Sequence, residues 1–153
     1  MNFATPNGRY KFFSCGEEDL KCDEYAYDTN AVIIPVNGNI KVKHYSGKFN
    51  VYHCVYVLGV NDSIRYLKAA IYCAANDMLD YFKMIQSGSV MKFMKKTELD
   101  KLYILRFKND HILYSKLNTL LDQIELNNKE IDSLSKLKQD IMQLIFSRSI
   151  KLN

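Results

Sequence analysis

Asp110-His111-Ile112-Leu113-Tyr114-Ser115-Lys116-Leu117-Asn118-Thr119-Leu120-Leu121-Asp122-Gln123-Ile124 opens a stretch that continues to Phe146 without a single Pro or Gly. Apolar residues recur at Leu113, Leu117, Leu120, Ile124, Ile131, Leu134, Leu137, Ile141 and Leu144, mostly in steps of three and four. That spacing places them on one stripe of an α-helix. Charged and amide residues, among them Lys116, Asp122, Gln123, Glu125, Lys129, Glu130, Lys136 and Lys138, fill the other faces. At 1.5 Å per residue the helix would run roughly 50 Å, longer than a small domain is wide. A stripe of that length needs a partner helix, so the spacing predicts a coiled coil with a second copy of the chain. Asn127 falls where the next apolar step should be. A buried Asn at such a position lowers stability and fixes register and strand number.

In all, 153 residues make one domain plus this extension. The division expected is 1–108 for the domain and 109–153 for the helix. With 48% apolar and 25% charged residues, the chain can bury a core without covalent staples. Net charge is +4, but unevenly spread. Residues 1–40 hold three basic and six acidic groups, residues 41–108 hold twelve and five, and residues 109–153 hold six of each. A basic middle segment suits a polyanion such as nucleic acid. Cys15, Cys22, Cys54 and Cys73 form no C-x-x-C pair and read as reduced, buried thiols of an intracellular protein. His53 and Cys54 are adjacent and poorly placed to share a metal, so no metal site is expected. The N-terminal Met-Asn-Phe-Ala-Thr-Pro has no basic start followed by an apolar run. No apolar stretch reaches the ~20 residues of a membrane span. A cytoplasmic protein with no membrane partner is expected.

Upstream of the helix the chain reads mostly as strands. Arg9 to Phe13 is a short aromatic strand after the Pro6-Asn7-Gly8 turn. Glu17-Glu18-Asp19 is an exposed acidic turn. Ala31 to Val36 is a buried strand that Pro35 confines to an edge or ends. Asn37-Gly38-Asn39 predicts a hairpin into a strand from Ile40 to Tyr45, and Ser46-Gly47-Lys48 a further turn into a strand from Phe49 to Val60. Ser63 is placed to cap an amphipathic helix through Phe82, which Gln86-Ser87-Gly88-Ser89 ends. Thr97-x-x-Asp100 resembles a capping box, and Leu102 to Phe107 reads as a last strand. These are antiparallel meander signals, which argue α+β.

Catalytic motifs are lacking. There is no G-x-S-x-G, H-E-x-x-H, phosphate loop or G-x-G-x-x-G. His44, His53 and His111 have no acid partner at a diagnostic spacing. Asp23, Glu24 and Asp28 form the densest carboxylate group and read as a solvated loop. The expectation is a non-enzyme without cofactor. Phosphate contacts need Lys and Arg, and base reading needs amides and hydroxyls at loop tips. The candidates are Asn39, Lys41, Lys43, His44 and Lys48 around the hairpins, and Gln86, Ser87, Ser89, Lys92, Lys95 and Lys96 after the middle helix.

The order of the pieces also resembles a known family. Gly8-Arg9-Tyr10-Lys11-Phe12-Phe13-Ser14, Tyr25-Ala26-Tyr27-Asp28, Ala31-Val32-Ile33-Ile34, Gly38-Asn39, Tyr45-x-Gly47-Lys48-Phe49-Asn50 and Tyr56-Val57-Leu58 succeed one another along the chain. Gly88-Ser89-Val90, Lys96-x-x-Leu99 and the long helix with Leu121-Asp122-x-Ile124-Glu125-x-Asn127 complete the series. Together they resemble the target recognition domain and spacer helix of type I restriction-modification specificity (S) subunits. The resemblance implies a mixed or antiparallel-sheet recognition domain followed by one long C-terminal coiled-coil helix. It implies a non-catalytic, sequence-specific reader of double-stranded DNA, similar to a half subunit, acting as a homodimer on a bipartite site. A DNA adenine methyltransferase subunit and a restriction subunit are the implied partners. Two features depart from the pattern. The Gly-x-Tyr-x-Phe motif starts at Gly8 without the family's leading segment, and Phe107-Lys108-Asn109-Asp110 replaces the Pro-Pro-x-x-Glu-Gln linker. A diverged relative carried by a virus or mobile element, keeping fold and dimer without the enzyme partners, is the alternative expectation.

Overall fold

The computed structural model describes residues 3–16, 18–38, 40–86, 93–106 and 108–147. Two compact units divide it, Met1–Asn118 and Thr119–Asn153. The chain is α+β, and among the described residues five strands form one mixed sheet. They are β1 (Tyr10–Phe13), β2 (Leu20–Cys22), β3 (Tyr27–Pro35), β4 (Lys43–Val51) and β5 (Val55–Val60), in the order β2-β1-β4-β3-β5. All pairs are antiparallel except β1 with β4.

β3 is the centre of the fold. Successive strand residues face opposite sides, yet Ala31, Val32, Ile33 and Ile34 are all buried, so both faces of β3 are covered. Phe13, Tyr45 and Phe49 stack edge-on at 5.5–5.7 Å between centroids, and the Tyr27 ring lies on Phe49 at 5.2 Å. Pro35 ends β3, as its missing donor requires, although the strand is central and not an edge.

Several strand limits differ from expectation, the first being that β3 begins at Tyr27 and not at Ala31. Ser46-Gly47-Lys48 is not a turn: Gly47 has a φ of 119°, yet pairs with Thr29 inside β4. The glycine's freedom bends the strand and does not reverse it. The expected strands Ile40–Tyr45 and Phe49–Val60 are therefore not separated there, and β4 runs unbroken from Lys43 to Val51. The chain instead leaves β4 through Tyr52–Cys54, where Val55 N–H reaches Tyr52 O, and β5 then runs antiparallel to β3 just as β4 does. Tyr27 and Val55 lie at opposite ends of the β3 ladders yet line one hollow, so the sheet curls strongly.

The expected five-turn helix is broken in pieces. A 3₁₀ turn (Asp62–Leu67), α1 (Lys68–Asp77) and α2 (Leu79–Gln86) replace it, with Met78 out of helical geometry between the last two. Asn61, not Ser63, caps the start through its side-chain oxygen to Ile64 N–H. α3 (Lys96–Leu99) begins after Lys95, which puts Thr97 inside the helix and not at its cap. Leu102–Arg106 joins no sheet. Its alternation is real, since Tyr103 and Leu105 are exposed while Leu102 and Ile104 line an apolar hollow of about 430 Å³ with Val57, Leu58, Ile71 and Ala74. The period-two pattern here serves a strap across a helix-covered face and forms no ladder.

The thiol reading is also corrected. Cys15 and Cys54 are joined as a disulfide with Cα atoms 6.5 Å apart, within the usual span. Cys73 is exposed, and only Cys22 is a buried free thiol. Burial pushes the Cys22 thiol up from its ordinary value. Sequence spacing could not pair Cys15 with Cys54, because the register of β1 against β4 brings them together.

The long helix is α4 (Asp110–Phe146), 37 residues. Within the first unit its opening turns are tied down by side chains. Arg106 pairs with Asp110 and donates to Tyr66 Oη at 3.0 Å, and Tyr114 Oη donates to Leu105 O. Asn118 Oδ1 accepts from Ala69 N–H at 2.8 Å, while its Nδ2 donates to Arg65 O and Tyr66 O at 3.1 and 3.0 Å. It thereby satisfies a donor in the first turn of α1 that no carbonyl reaches. Asn118→Ala is expected to destabilise the first unit by about 2 kcal/mol, since three partners lose their bonds at once. Thermal unfolding reads this as a Tm drop of several degrees, and Asn118→Asp should recover part of it through Oδ1.

Candidate nucleic-acid interface

Among the sequence-predicted DNA-contacting residues, Asn39, Ser87, Ser89 and Lys92 lie outside the described residues, as does the side chain of Gln86. Gln86 itself is the last residue of α2 and not part of a break. The others fall into two groups. Lys41 is exposed on the connection between β3 and β4. Lys95 and Lys96 are exposed at the start of α3. A main-chain bond from Met94 N–H to Val36 O (2.9 Å) and one from Tyr56 Oη to Met94 O (3.0 Å) hold that segment against the exit of β3. These bonds hold the start of α3 beside the chain that leaves β3, and Lys41 lies on the connection that follows.

Lys48 stands apart. It pairs with Asp28, five ladder steps from the Lys43–Ile33 pair, or about 16 Å along a strand. Its ammonium lies 4.6 Å from the centroid of the exposed Tyr25 ring. The Tyr25 hydroxyl beside it pushes the Lys48 pKa above its ordinary value, so the charge persists throughout the physiological range.

Lys43 and His44 are less open than their sequence setting implied. Lys43 forms an ion pair with Asp19 at 2.6 Å, and its side chain is only 13% exposed. The His44 ring is half-buried and meets Tyr72 edge-on at 5.0 Å. Sequence reading passed over Lys11, Lys21 and Tyr25. The signal was present, since Lys11 interrupts an aromatic strand and Lys21 comes just after the acidic turn, but each looked like an ordinary surface charge.

A second hollow, about 590 Å³, is lined by Phe3, Ala26, Tyr27, Asn50, Val51, Tyr52, His53 and Val55. Asn50 is already committed there: its Nδ2 donates to Glu24 O, and its Oδ1 accepts from Val51 N–H. Glu98, Tyr81 and Lys101 form a separate clasp in which Lys101 Nζ and Tyr81 Oη both lie 2.6 Å from Glu98 Oε2. The Lys101 and Tyr81 hydrogen bonds hold the Glu98 carboxyl below its usual range. The clasp fastens α3 to α2. Among the described residues no three His, Cys, Asp or Glu side chains converge as metal ligands, and no helix is long and apolar enough to cross a membrane.

The apolar residues of the expected stripe are mostly exposed. Leu113, Leu120, Ile124, Ile131, Leu134, Leu137, Ile141 and Leu144 of α4 are each more than two-fifths exposed. Leu117 is half-buried and Asn127 exposed. Lys129 pairs with Glu125 one turn back at 2.7 Å, on a face away from this stripe, and supports the helix.

No family profile matches the chain. A sequence relative is the type I restriction enzyme EcoDI specificity subunit of Escherichia coli, 26% identical over 148 residues, which are 95% of this chain and 33% of that protein. In fold, the S subunit of a type I restriction-modification system from M. genitalium superposes with a TM-score of 0.63 at 17% identity. That match covers 93% of this chain and 37% of the other. The chain thus spans about a third of the length of the relatives it matches. The resemblance read from motif order holds in both sequence and fold.

Proposed function

We propose that this S-subunit-like chain is a DNA-recognition unit that reads duplex sequence without catalysis of its own. The observation that carries the reading is the near-complete match of the chain to type I specificity subunits in sequence and in fold. Lys41 after β3, Lys95 and Lys96 at the start of α3, and Lys48 on β4 are the proposed phosphate contacts. Asn39, Gln86, Ser87, Ser89 and Lys92 remain proposed contacts by residue type. Residues 1–108 carry recognition in this reading, and 109–153 carry dimerisation and spacing.

The second part of the reading is a homodimer. The exposed apolar stripe of α4 pairs with that of a second copy as a coiled coil, with Asn127 setting register. Two recognition units at a fixed separation then read a bipartite site. An adenine methyltransferase chain and a restriction chain are the proposed partners that supply the chemistry.

Random-site selection on duplex DNA tests this directly. The expected product is two half-sites at constant spacing. Binding should weaken steeply with salt, because each neutralised phosphate contributes a slope of about −0.9 in log affinity against log salt. With about five phosphates the expected slope is about −4.5. Unenriched pools together with a flat salt dependence would remove the recognition role and leave a structural one.

A further inference from the structure

Asp19 precedes β2 and sits between lysines of two different strands. Its Oδ1 accepts from Lys43 Nζ at 2.6 Å and its Oδ2 from Lys11 Nζ at 3.2 Å. Each oxygen of one carboxylate thus takes its own ammonium. The Lys43 ammonium also lies 5.7 Å from the centroid of the buried Phe13 ring, so packing positions it as well as charge. Lys11 stands directly opposite Lys21 in the β1–β2 ladder. Like charges directly opposite on an antiparallel pair repel, and the arrangement becomes favourable only when an anion lies nearby. Two lysines converge on one anionic position, with Lys21 across the ladder from one of them, and the side chain that fills it is short and 30% exposed.

We propose that Lys11 and Lys43, with Lys21 beside them, form a phosphate-binding site, and that Asp19 occupies it in the free chain as an internal stand-in. This rests on the DNA-recognition reading for its source of phosphate, a backbone phosphodiester of duplex DNA. When the phosphodiester arrives, its two free oxygens take the two ammonium groups and the Asp19 carboxylate is released to water. No bond is made or broken beyond these contacts. The consequence is that affinity for random DNA is held down, because each docking must first displace Asp19. Contacts elsewhere on the surface then weigh more in choosing a site.

The test compares the full chain with Asp19→Asn, Lys43→Gln and the double variant, on a random-sequence duplex and on phosphocellulose. Asp19 holds Lys11 and Lys43 through partly exposed ion pairs, and circular dichroism checks that each variant keeps its fold. Asp19→Asn is expected to bind random duplex roughly three- to tenfold more tightly, the worth of two partly exposed ion pairs. Adding Lys43→Gln should cancel the gain and reduce the salt slope by about one. If the original chain binds duplex but Asp19→Asn changes neither affinity nor retention, the site is overturned and the DNA reading stands. If no variant binds duplex while Asp19→Asn is held longer on phosphocellulose through Lys43, the site stands and the DNA reading falls. If Asp19→Asn gains nothing on either probe and duplex is never bound, both fall.

Discussion

Ile124→Asp combined with Leu134→Asp is expected to convert the protein from dimer to monomer. Both side chains lie on the exposed stripe of α4, at 49% and 57% exposure, and both belong to the seam read from spacing. Burying one such side chain is worth about 1.5–3 kcal/mol. Two copies lose four of them, each already about half covered in the free helix, so association weakens by about 3 kcal/mol or more before any repulsion between the new carboxylates is counted. Light scattering after size exclusion is the measurement. The unchanged chain should run as a dimer at micromolar concentration and the double variant as a monomer. The sheet unit should melt as before in the variant, since these positions belong to the second unit. A monomer in both cases would remove the coiled coil and with it the fixed spacing between half-sites. The same variant then makes a prediction for DNA: a single half-site should still be bound, with the spacing preference gone.

Gly8→Ala is expected to destabilise the sheet unit by about 3 kcal/mol or more. Gly8 is buried, and a Cβ there would stand 2.4 Å from Cys22 N and 2.6 Å from Cys22 C and O. These are backbone atoms of β2, paired to β1 through Tyr10 and Cys22, so no side-chain rotation relieves the clash. Overpacking of this kind usually costs about 1–3 kcal/mol, and a rigid backbone neighbour places it at the upper end. Urea unfolding should show a lower midpoint with an unchanged slope. If Ala is tolerated, the close approach of residues 5–8 to β2 is not required for stability. The same contact gives a physical reason for the first glycine of the motif series: the main chain from Thr5, whose N–H bonds Lys21 O, passes too near β2 for any side chain.

Much of this fold was legible because local rules and tertiary structure agree. The stripe of α4 obeys helical spacing with no competing signal, and the helix spans Asp110–Phe146. The apolar run from Ala31 to Pro35 is the buried part of β3 because β-branched residues on both faces have nowhere else to go. The misread elements are those where local signals served two purposes. Gly47 has turn-like dihedrals yet bends a strand, and Leu102–Arg106 alternates like a strand yet pairs with none. The proposed phosphate contacts Lys41, Lys95 and Lys96 were found as types, but the tie between Met94 and Val36, far apart in sequence, was not legible. Lys43 looked available by alternation and is in fact clamped by Asp19.

Residue order was enough to establish that the chain is α+β, that it carries a long one-sided helix, and that its middle is basic. These properties depend on periodicity and composition, which survive without knowledge of what touches what. Only the packed fold could show that β1 runs parallel to β4, that Cys15 meets Cys54, that Asn118 caps α1, and that Asp19 lies between Lys11 and Lys43. Each of these joins residues far enough apart that their meeting is set by strand register and sheet curl, quantities fixed only when the whole core packs at once.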